Sequence, residues 1–511
     1  MEESGLFELI KTLGKSEKRY FKKYAALHAA KNNTHAAQLF DALEEIEEYD
    51  DATFKKTNHK KTFYKNLASE KQHLMKVLLQ SLNEFHRNSD SKSTIRFHLD
   101  SCELLFQKRQ YKLCEKHLIK ASKLSKETSA LYFLPEIYRA FGKLYQHSGN
   151  LEKLEALLTE IKNNENKINH SVQNEIRLTC SEYEFYYTSR RLGYPRTEKD
   201  RAVYENIYAP SKNISAETAS FGEKLNLLLI ENYYYDTLPD KKPLMQVREA
   251  WIKLAETNAQ FIADNSMQYL VCLNNVANSY DELGMKKELE ITLEKLNNYP
   301  KKNLDEEVRT FIYYYNLKMV GLIIDGRFAE CLDIFPQAEA GMKKLWRWFH
   351  REYKLSFRYL FSYGHFGAGQ YQQSLKWINE ILVNYPKETL EEYYNFARIF
   401  ILLIYFELGY EGLLSSELRS ANRYFNKKDK LFSLEKIILA FMKSSLKPEG
   451  ILSTKKEFKE LKEEITGLKN SPYEQQLFSL FDWEAWVESK ISGVSFDKVM
   501  REKSAGAQFT Q

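Results

Sequence analysis

The chain has 511 residues, and its 75 basic and 70 acidic side chains leave a formal net charge of only +5, unlike the strongly basic balance of a dedicated nucleic-acid-binding protein. Hydrophobic residues make up 43% of the sequence, which excludes disorder throughout, while 19 glycines and 10 prolines are too few for the tight turns of a strand-rich fold and favour helices. A single core stops growing near about 250–300 residues, so the length predicts several domains or an elongated repeat array.

Residues 1–95 are predicted to form an N-terminal helical domain. Helices are expected over 16–29 and 34–48, with Ser16 and Thr34 as their N-caps. A longer amphipathic helix is expected over 60–86, because its leucines recur at helical spacing. We expect this domain also to cover the first repeat of the array that follows.

Two basic stretches lie in this domain. The candidate basic contact residues are Lys15, Arg19, Lys22 and Lys23. On a helix they spread over one broad face, which is either a solvated surface or a contact for phosphates or an acidic protein. A second basic stretch runs from 55 to 65, and acidic residues at 44–51 lie between the two. Convergence on one exposed patch would favour an electrostatic contact, whereas separation by the acidic helix would favour a role for the repeats.

A pattern of two helices joined by a short turn recurs from about residue 96 to 430. Its best first helix reads Tyr138-x-x-Phe141-Gly142-x-x-Tyr145-x-x-x-Gly149, followed by a second helix with leucines at helical spacing. Gly149 stands where the first helix must end, a position that often requires a positive φ. The predicted turns fall near positions 109, 149, 193, 239, 284, 326, 369, 409 and 448.

This pattern resembles the tetratricopeptide repeat family, although the spacing of about 40–46 residues is longer than the ~34 of the standard repeat. The resemblance implies an all-α fold, a right-handed α-solenoid of about nine helix-turn-helix pairs after the N-terminal helical domain. We place the repeat array at 96–470, a C-terminal capping helix at 471–496 and a flexible tail at 497–511. The resemblance also implies a binding role without naming a ligand.

The family's first helices line the concave surface of the solenoid, and its register implies a set of inward-facing residues here. They are Tyr183, Tyr187, Arg190, Tyr233, Asn274, Asn278, Tyr313, Asn316, Tyr359 and Tyr363. Asn can hydrogen-bond both groups of a peptide backbone, and Tyr offers a rigid apolar body with a polar tip. The set is typical of a peptide groove, and an ordinary polar solenoid surface is the alternative interpretation.

Five cysteines are scattered without metal-ligand spacing. Cys102, Cys114 and Cys331 fall at positions where the repeat requires a small residue, so they are predicted to pack as small hydrophobes, with no catalytic role and no disulfide. No metal site, cofactor or catalytic residue is predicted. A cytoplasmic location is expected, and the most apolar stretch, 396–408, is expected to be a buried helix because it is shorter than the ~20 residues that span a bilayer.

Two functions remain open from the sequence. The first is a non-enzymatic interaction scaffold that binds a peptide or protein segment on the concave face. The second is a regulator or nucleic-acid-associated factor, with the basic N-terminal helices as effector and the repeats as sensor. An enzyme is not predicted, because no constellation of titratable residues and no hydrolase, metalloprotease or dinucleotide motif is present.

Overall fold

The computed structural model describes residues 2–28, 35–195, 197–215, 219–384, 391–426, 433–446, 455–469, 471 and 474–507. Within these ranges the chain forms 26 α-helices and no strand, which confirms the all-α prediction. The N-terminal helices are α1 (Glu2–Thr12), α2 (Lys15–His28), α3 (His35–Glu45), α4 (Asp51–Asn58) and α5 (Leu67–Phe85).

The following helices are α6 (Ser91–Gln107), α7 (Tyr111–Glu127), α8 (Leu134–Ser148), α9 (Leu151–Leu192), α10 (Glu198–Tyr208), α11 (Phe221–Asp236), α12 (Lys242–Glu256), α13 (Ala259–Asp264) and α14 (Ser266–Glu282). The chain continues with α15 (Lys286–Asn297), α16 (Leu304–Ile324), α17 (Phe328–Leu345), α18 (Arg351–Gly367), α19 (Tyr371–Asn384), α20 (Glu391–Glu407), α21 (Glu411–Asn426) and α22 (Ser433–Ser445). The last helices are α23 (Lys455–Leu468), α24 (Gln475–Leu480), α25 (Trp483–Ser492) and α26 (Phe496–Ala507).

Helices α1–α5 enclose a core of their own, in which Phe21, Leu39 and Leu74 are buried. The predicted helices correspond to α2, α3 and α5, although α5 begins later than expected, after the 3-10 turn Thr62–Asn66. The proposed cap Thr34 lies outside the described residues. Helix α4 was not predicted, because only Phe54 and Asn58 of its eight residues are buried and the apolar pattern is therefore weak.

The predicted turns are confirmed where the structure describes them. Backbone φ is positive at Arg109, Gly149, Gly193, Gly284, Gly326, Gly369 and Gly409. The turn expected near 239 separates α11 from α12, and the one near 448 lies outside the described residues. At each described turn except the one near 239, a residue of positive φ ends one helix and directs the chain into the next.

From α6 to α23 each helix packs against its neighbour in the chain, and alternate helices also meet, as in α12 with α14, α14 with α16 and α16 with α18. Glycines allow the closest of these approaches. A Cβ atom at Gly367 would overlap the ring of Phe328, and one at Gly364 would overlap the ring of Phe335. The chain thereby builds one continuous core from Leu225 to Met500.

Helix α9 departs from the repeat pattern. It runs for 42 residues without interruption, so the second helix of one pair and the first helix of the next are fused. At about 1.5 Å per residue it spans roughly 63 Å. Residues 162–177 contain neither Gly nor Pro, and therefore nothing in this stretch ends the helix.

The C-terminal segment differs from the flexible tail expected at 497–511. Residues up to Ala507 form α26, whose Phe496 ring stacks on Phe328 with centroids 5.8 Å apart. Met500 is buried, and Ser504 Oγ donates a hydrogen bond to Asp325 Oδ1 at 2.8 Å. The prediction was wrong for this helix because Phe496 and Met500, spaced four residues apart, form a short apolar stripe that has a partner surface only in the folded chain.

The expectation that no cysteine forms a disulfide is also wrong. The structure joins Cys102 of α6 to Cys114 of α7, with Cα atoms 4.4 Å apart. Both cysteines stand where the repeat pattern predicts a small residue at the contact between two helices. Their side chains therefore face each other. Cys331 is a buried free thiol, as predicted, and burial raises its pKa to about 12.

The apolar stretch at 396–408 belongs to α20, whose described side chains Phe396 and Phe400 are buried. Arg398 of the same helix donates a hydrogen bond to Glu417 Oε1 at 2.9 Å. Over the part of the chain that the structure describes, no helix has both the length and the apolarity needed to cross a membrane.

Candidate binding site

The C-terminal segment covers the inner face of α18, where two of the predicted concave residues lie. Tyr359 and Tyr363 are only 7% and 5% exposed. The Tyr359 hydroxyl donates to the carbonyl of Leu480, and the Tyr363 hydroxyl accepts a hydrogen bond from the backbone N–H of Asp482 at 3.1 Å. The expectation that these tyrosines face a ligand is therefore wrong, because the chain's own C-terminal segment already occupies this surface.

Two other predicted residues are largely exposed to solvent. Tyr183 is 67% exposed and Tyr187 is 58% exposed, both near the end of α9. The Arg191 guanidinium lies over the Tyr187 ring, 5.5 Å from its centroid, and donates a hydrogen bond to its hydroxyl at 2.5 Å. These tyrosines point to the outer surface of α9 and do not line a cavity with the other predicted residues.

The side chains of Asn278 and Asn316 are used within the chain. Asn278 Nδ2 donates to the carbonyl of Asn274 at 2.9 Å, and Asn316 Nδ2 donates to Ser356 Oγ at 2.6 Å. Neither residue lines the principal cavity, which is the cavity that the remaining predicted residues share. Their polar groups stabilise α14 and the contact between α16 and α18.

The remaining predicted residues, Arg190, Tyr233, Asn274 and Tyr313, line a single cavity of ≈ 790 Å³. Its walls are the ends of α9 and α11, the middle of α14, the first half of α16 and the turn that precedes α18, and the end of α24 closes one side. This volume falls in the usual size range of ligand pockets, about 300–1,000 Å³.

An ion pair between distant parts of the chain forms one wall. Arg190, in the last turn of α9, pairs with Glu352, in the first turn of α18. His350 Nδ1 lies 3.7 Å from the same carboxylate. Because α9 runs without interruption to Leu192, its last turn places Arg190 beside α18. The fused helix α9 therefore forms one wall of the cavity.

Tyrosine rings supply the apolar wall: Tyr233 and Tyr353 are partly exposed, whereas Tyr313 is only 2% exposed and contributes little accessible surface. The rings of Tyr313 and Tyr353 meet edge to face with centroids 6.0 Å apart, and Arg309 Nη1 donates to the Tyr313 hydroxyl at 3.2 Å. Burial, and after it the Glu182 carboxylate, raises the pKa of Tyr233 to about 12. Burial also raises the pKa of Tyr353. These hydroxyls stay protonated at neutral pH, so each can both donate and accept a hydrogen bond.

Two side-chain amides lie side by side on the α14 wall. Asn274 Nδ2 is 3.4 Å from Asn275 Oδ1, and both residues are partly exposed to the cavity. An amide offers two donors and an acceptor, so the pair retains hydrogen-bonding capacity beyond this one long contact. The wall can therefore satisfy both the N–H and the C=O of a bound backbone.

The charges around the cavity are balanced. Asp236 lies 3.4 Å from Arg248 and 3.8 Å from Lys241, and Asp305 lies 3.4 Å from Arg309. Each carboxylate that lines the cavity thus has a cationic neighbour. Within the described ranges no three His, Cys, Asp or Glu side chains are arranged to hold a metal ion.

The candidate basic contact lies elsewhere, on α2. Lys15, Arg19, Lys22 and Lys23 are all exposed. Lys22 Nζ lies 2.9 Å from Asp41 and 3.1 Å from Glu44, both on α3. Helix α3 also packs against the turn Thr62–Asn66, so its acidic side chains stand between the two basic stretches.

The sequence did not reveal Arg309, Tyr353 or the end of α24 as parts of this site. Arg309 precedes Tyr313 by one helical turn, and this i, i+4 spacing was a usable signal. Tyr353 and Leu480 reach the cavity only because α18 and the C-terminal segment pack beside it. Helix periodicity in the sequence does not reveal such contacts.

Comparison of the chain with protein-family models, with curated proteins and with solved structures gave no match.

Proposed function

We propose that the chain is a non-enzymatic interaction scaffold that binds a peptide segment in the cavity between α9, α14 and α16. The single observation that carries this proposal is the meeting of Arg190, Tyr233, Asn274 and Tyr313, from four different helices, around one cavity of ≈ 790 Å³. Rigid aromatic rings beside adaptable amides are the combination that protein interfaces use for contact area and backbone hydrogen bonds.

The proposal includes an architecture, a right-handed TPR-like solenoid of about nine helix pairs with an N-terminal helical domain. The accessible surface of 28637 Å² supports an open shape. A compact monomer of 60.4 kDa is expected to expose only about 19,000–20,000 Å². The packing of alternate helices from α12 to α18 also supports a stacked array.

A peptide is a better ligand for this cavity than a folded domain or a nucleic acid. A cavity of ≈ 790 Å³ can hold a short segment of chain, and a folded domain is too large to enter it. Its carboxylates stand beside its arginines, which leaves no uniform positive field for a phosphate backbone. The hydrogen-bonding groups on its walls are those that pair with a polypeptide.

The alternative function, a regulator that contacts nucleic acid or an acidic partner through α2, has less support. Lys15, Arg19 and Lys23 are exposed, and among the described residues no carboxylate lies within ion-pair distance of them. However, the acidic side chains of α3 neutralise Lys18 and Lys22 in the middle of the same face. The remaining charge is that of an ordinary solvated helix.

The proposal is tested by selecting peptides from a random phage-displayed library on the full-length protein and measuring their affinity by fluorescence anisotropy. Ser189 is exposed at the cavity wall on α9, so Ser189→Trp places an indole in the cavity without disturbing the core. Thr159→Trp, at an exposed position of the same helix far from the cavity, is the matched control.

We expect the selected peptides to lose at least about tenfold in affinity with Ser189→Trp, a cost of about 1.4 kcal/mol, and to bind Thr159→Trp like the wild type. Equal binding to both variants would move the site elsewhere. Failure of the library to yield any peptide that binds would contradict the peptide-binding role itself.

A further inference from the structure

A second cavity, of ≈ 310 Å³, lies between α14, α15, α16 and the C-terminal helix α26. Its apolar lining includes the buried side chains Leu289, Leu293, Leu317, Leu322 and Met500. Helix α26 forms its roof and is held there by the Ser504–Asp325 hydrogen bond at 2.8 Å. The cavity is separate from the proposed peptide site, with which it shares no lining residue.

The carboxylate of Asp281 lines this cavity and has no partner among the residues that the structure describes. No described N–H or O–H donates to it, and no described Lys or Arg lies within ion-pair distance of it. Its Oδ1 stands only 3.3 Å from the place that a Cβ atom at Gly321 would occupy, so the glycine leaves room for the carboxylate on the cavity wall. Asp281 is partly buried, a carboxylate in such a position without a described partner is costly, and a positively charged ligand would remove that cost.

The neighbouring carboxylate, Asp325, lines the same cavity and accepts hydrogen bonds from other side chains. Lys286 Nζ lies 2.8 Å from both of its oxygens, and Ser504 donates a third hydrogen bond. Burial, followed by the charge of Asp325, raises the pKa of Asp281 to about 7, with Lys286 opposing the shift. The two carboxylates in this cavity therefore differ, because Asp325 has a cation within hydrogen-bond distance and Asp281, among the described residues, does not.

We propose that this cavity binds a small primary ammonium compound with an apolar chain. The ammonium group donates hydrogen bonds to the Asp281 carboxylate, and the chain packs against the leucines of α15 and α16. Charge-assisted hydrogen bonds of this kind are about twice as strong as neutral ones. An anionic ligand would meet the unpaired carboxylate, and a neutral one would leave it unsatisfied.

The other charged groups that line the cavity are consistent with a cationic ligand. From α14, α15, α16, the turns after α16 and before α25, and α26 they are Glu282, Lys286, Glu290, Lys318, Asp325, Arg327, Asp482 and Lys503. Three of the cations already pair with other carboxylates: Lys286 with Asp325, Arg327 with Glu330 and Lys503 with Asp482. Only Lys318 has no described ion pair, and it lies on the rim together with the exposed Glu290.

The test is isothermal titration calorimetry of the full-length protein with n-hexylammonium, 1-hexanol and n-hexanoate at pH 8. We expect n-hexylammonium to bind at least about tenfold more tightly than 1-hexanol, and n-hexanoate not to bind. Asp281→Asn should reduce the ammonium affinity at least about tenfold, whereas Glu290→Gln, which changes a carboxylate on the rim, should leave it nearly unchanged.

The wild-type protein provides a test that needs no variant. Because the ligand requires the ionised form of Asp281, its affinity should fall about tenfold from pH 8 to pH 6, while any binding of 1-hexanol stays constant. Equal affinity for the amine and the alcohol, or an Asp281→Asn variant that is folded by circular dichroism and binds normally, would overturn the proposal. Absence of any heat with n-hexylammonium would overturn it as well.

Discussion

Arg190 at the end of α9 and Glu352 at the start of α18 form an ion pair that joins two segments far apart in the sequence. Both side chains are partly exposed, so the pair is expected to contribute only about 0.2–1 kcal/mol to the free energy of unfolding. Its structural effect is to hold the long helix against the array and to close the cavity that we propose as the binding site. The ion pair thus contributes little to stability, although it holds α9 in place beside α18.

A double-mutant cycle measures this contact. Arg190→Ala and Glu352→Ala should each lower the free energy of unfolding by less than about 1 kcal/mol, with a coupling energy of about 0.2–1 kcal/mol between them. The coupling should shrink in high salt because the pair is accessible to solvent. Urea denaturation at low and high salt provides the measurement, and a coupling energy of zero at low salt would mean that the pair does not form in solution.

The docking of α26 predicts different effects at two glycines that share a left-handed backbone. A Cβ atom at Gly326 would stand 2.7 Å from Met500 Cβ and 2.8 Å from the backbone nitrogen of Arg501, whereas one at Gly369 would meet nothing within 4 Å. Gly369→Ala should therefore cost only the backbone strain, about 1–2 kcal/mol. Gly326→Ala should cost that and at least about 1 kcal/mol more, because it clashes with the backbone of α26.

Urea denaturation of the two variants checks this prediction. Equal losses at Gly326 and Gly369 would indicate that α26 does not pack against the turn between α16 and α17. As an independent control, Lys498→Ala, at an exposed position of α26, should leave the free energy of unfolding unchanged within about 0.5 kcal/mol.

Asp281 makes the stability of the protein depend on pH. Its carboxyl has an ordinary pKa of 3.8, and burial, followed by the charge of Asp325, raises it to about 7 in the folded protein. The unfolded chain loses this proton near pH 4 and the folded protein near pH 7, so stability falls as pH rises between these values. Above pH 7 the folded protein bears the full free-energy cost of ionising the Asp281 carboxyl.

Asp281→Asn removes that cost. It should raise the free energy of unfolding at pH 8 by at least about 1 kcal/mol, and most of this gain should be lost at pH 4, where the folded wild type carries the proton and the unfolded chain is about half protonated. Thermal and urea denaturation at the two pH values measure the difference. A variant that is less stable than the wild type at pH 8 would show that the carboxylate has a partner after all.

Tyr313 and Asn274 both line the principal cavity but should respond differently to truncation. Tyr313 is only 2% exposed, so Tyr313→Ala should lower the free energy of unfolding by about 3–5 kcal/mol. Asn274→Ala should cost less than about 1 kcal/mol, because its side chain makes a single long hydrogen bond with the described residues, to Asn275. A large loss of stability with Asn274→Ala would identify the amide as part of the core.

Much of the fold follows from the sequence for identifiable reasons. Glycines such as Gly149 and Gly326 mark the turns because a left-handed backbone favours a residue without a Cβ atom. The fused helix α9 was missed because the repeat pattern implied a break that its residues do not supply. The docked helix α26 was missed because one apolar turn in a polar segment is a weak signal until its partner surface is known.

The site was less predictable than the fold. Of the ten residues that the repeat register implied, Arg190, Tyr233, Asn274 and Tyr313 line one cavity, and whether that cavity binds a peptide stays a prediction. It gave no indication that Tyr359 would be covered, since it treats each repeat alone and the cover is the chain's own C-terminal segment. Contacts between segments distant in sequence decide which part of a concave surface stays open.

Peptide binding in this cavity is tested most directly by hydrogen–deuterium exchange of the full-length protein with and without a peptide selected from the random library. We expect slower exchange at the end of α9, in the middle of α14 and in the first half of α16, the segments that carry Arg190, Asn274 and Tyr313. Exchange in α2 should be unchanged. Protection confined to α2, or to any surface outside the cavity, would contradict the assignment of this cavity as the binding site.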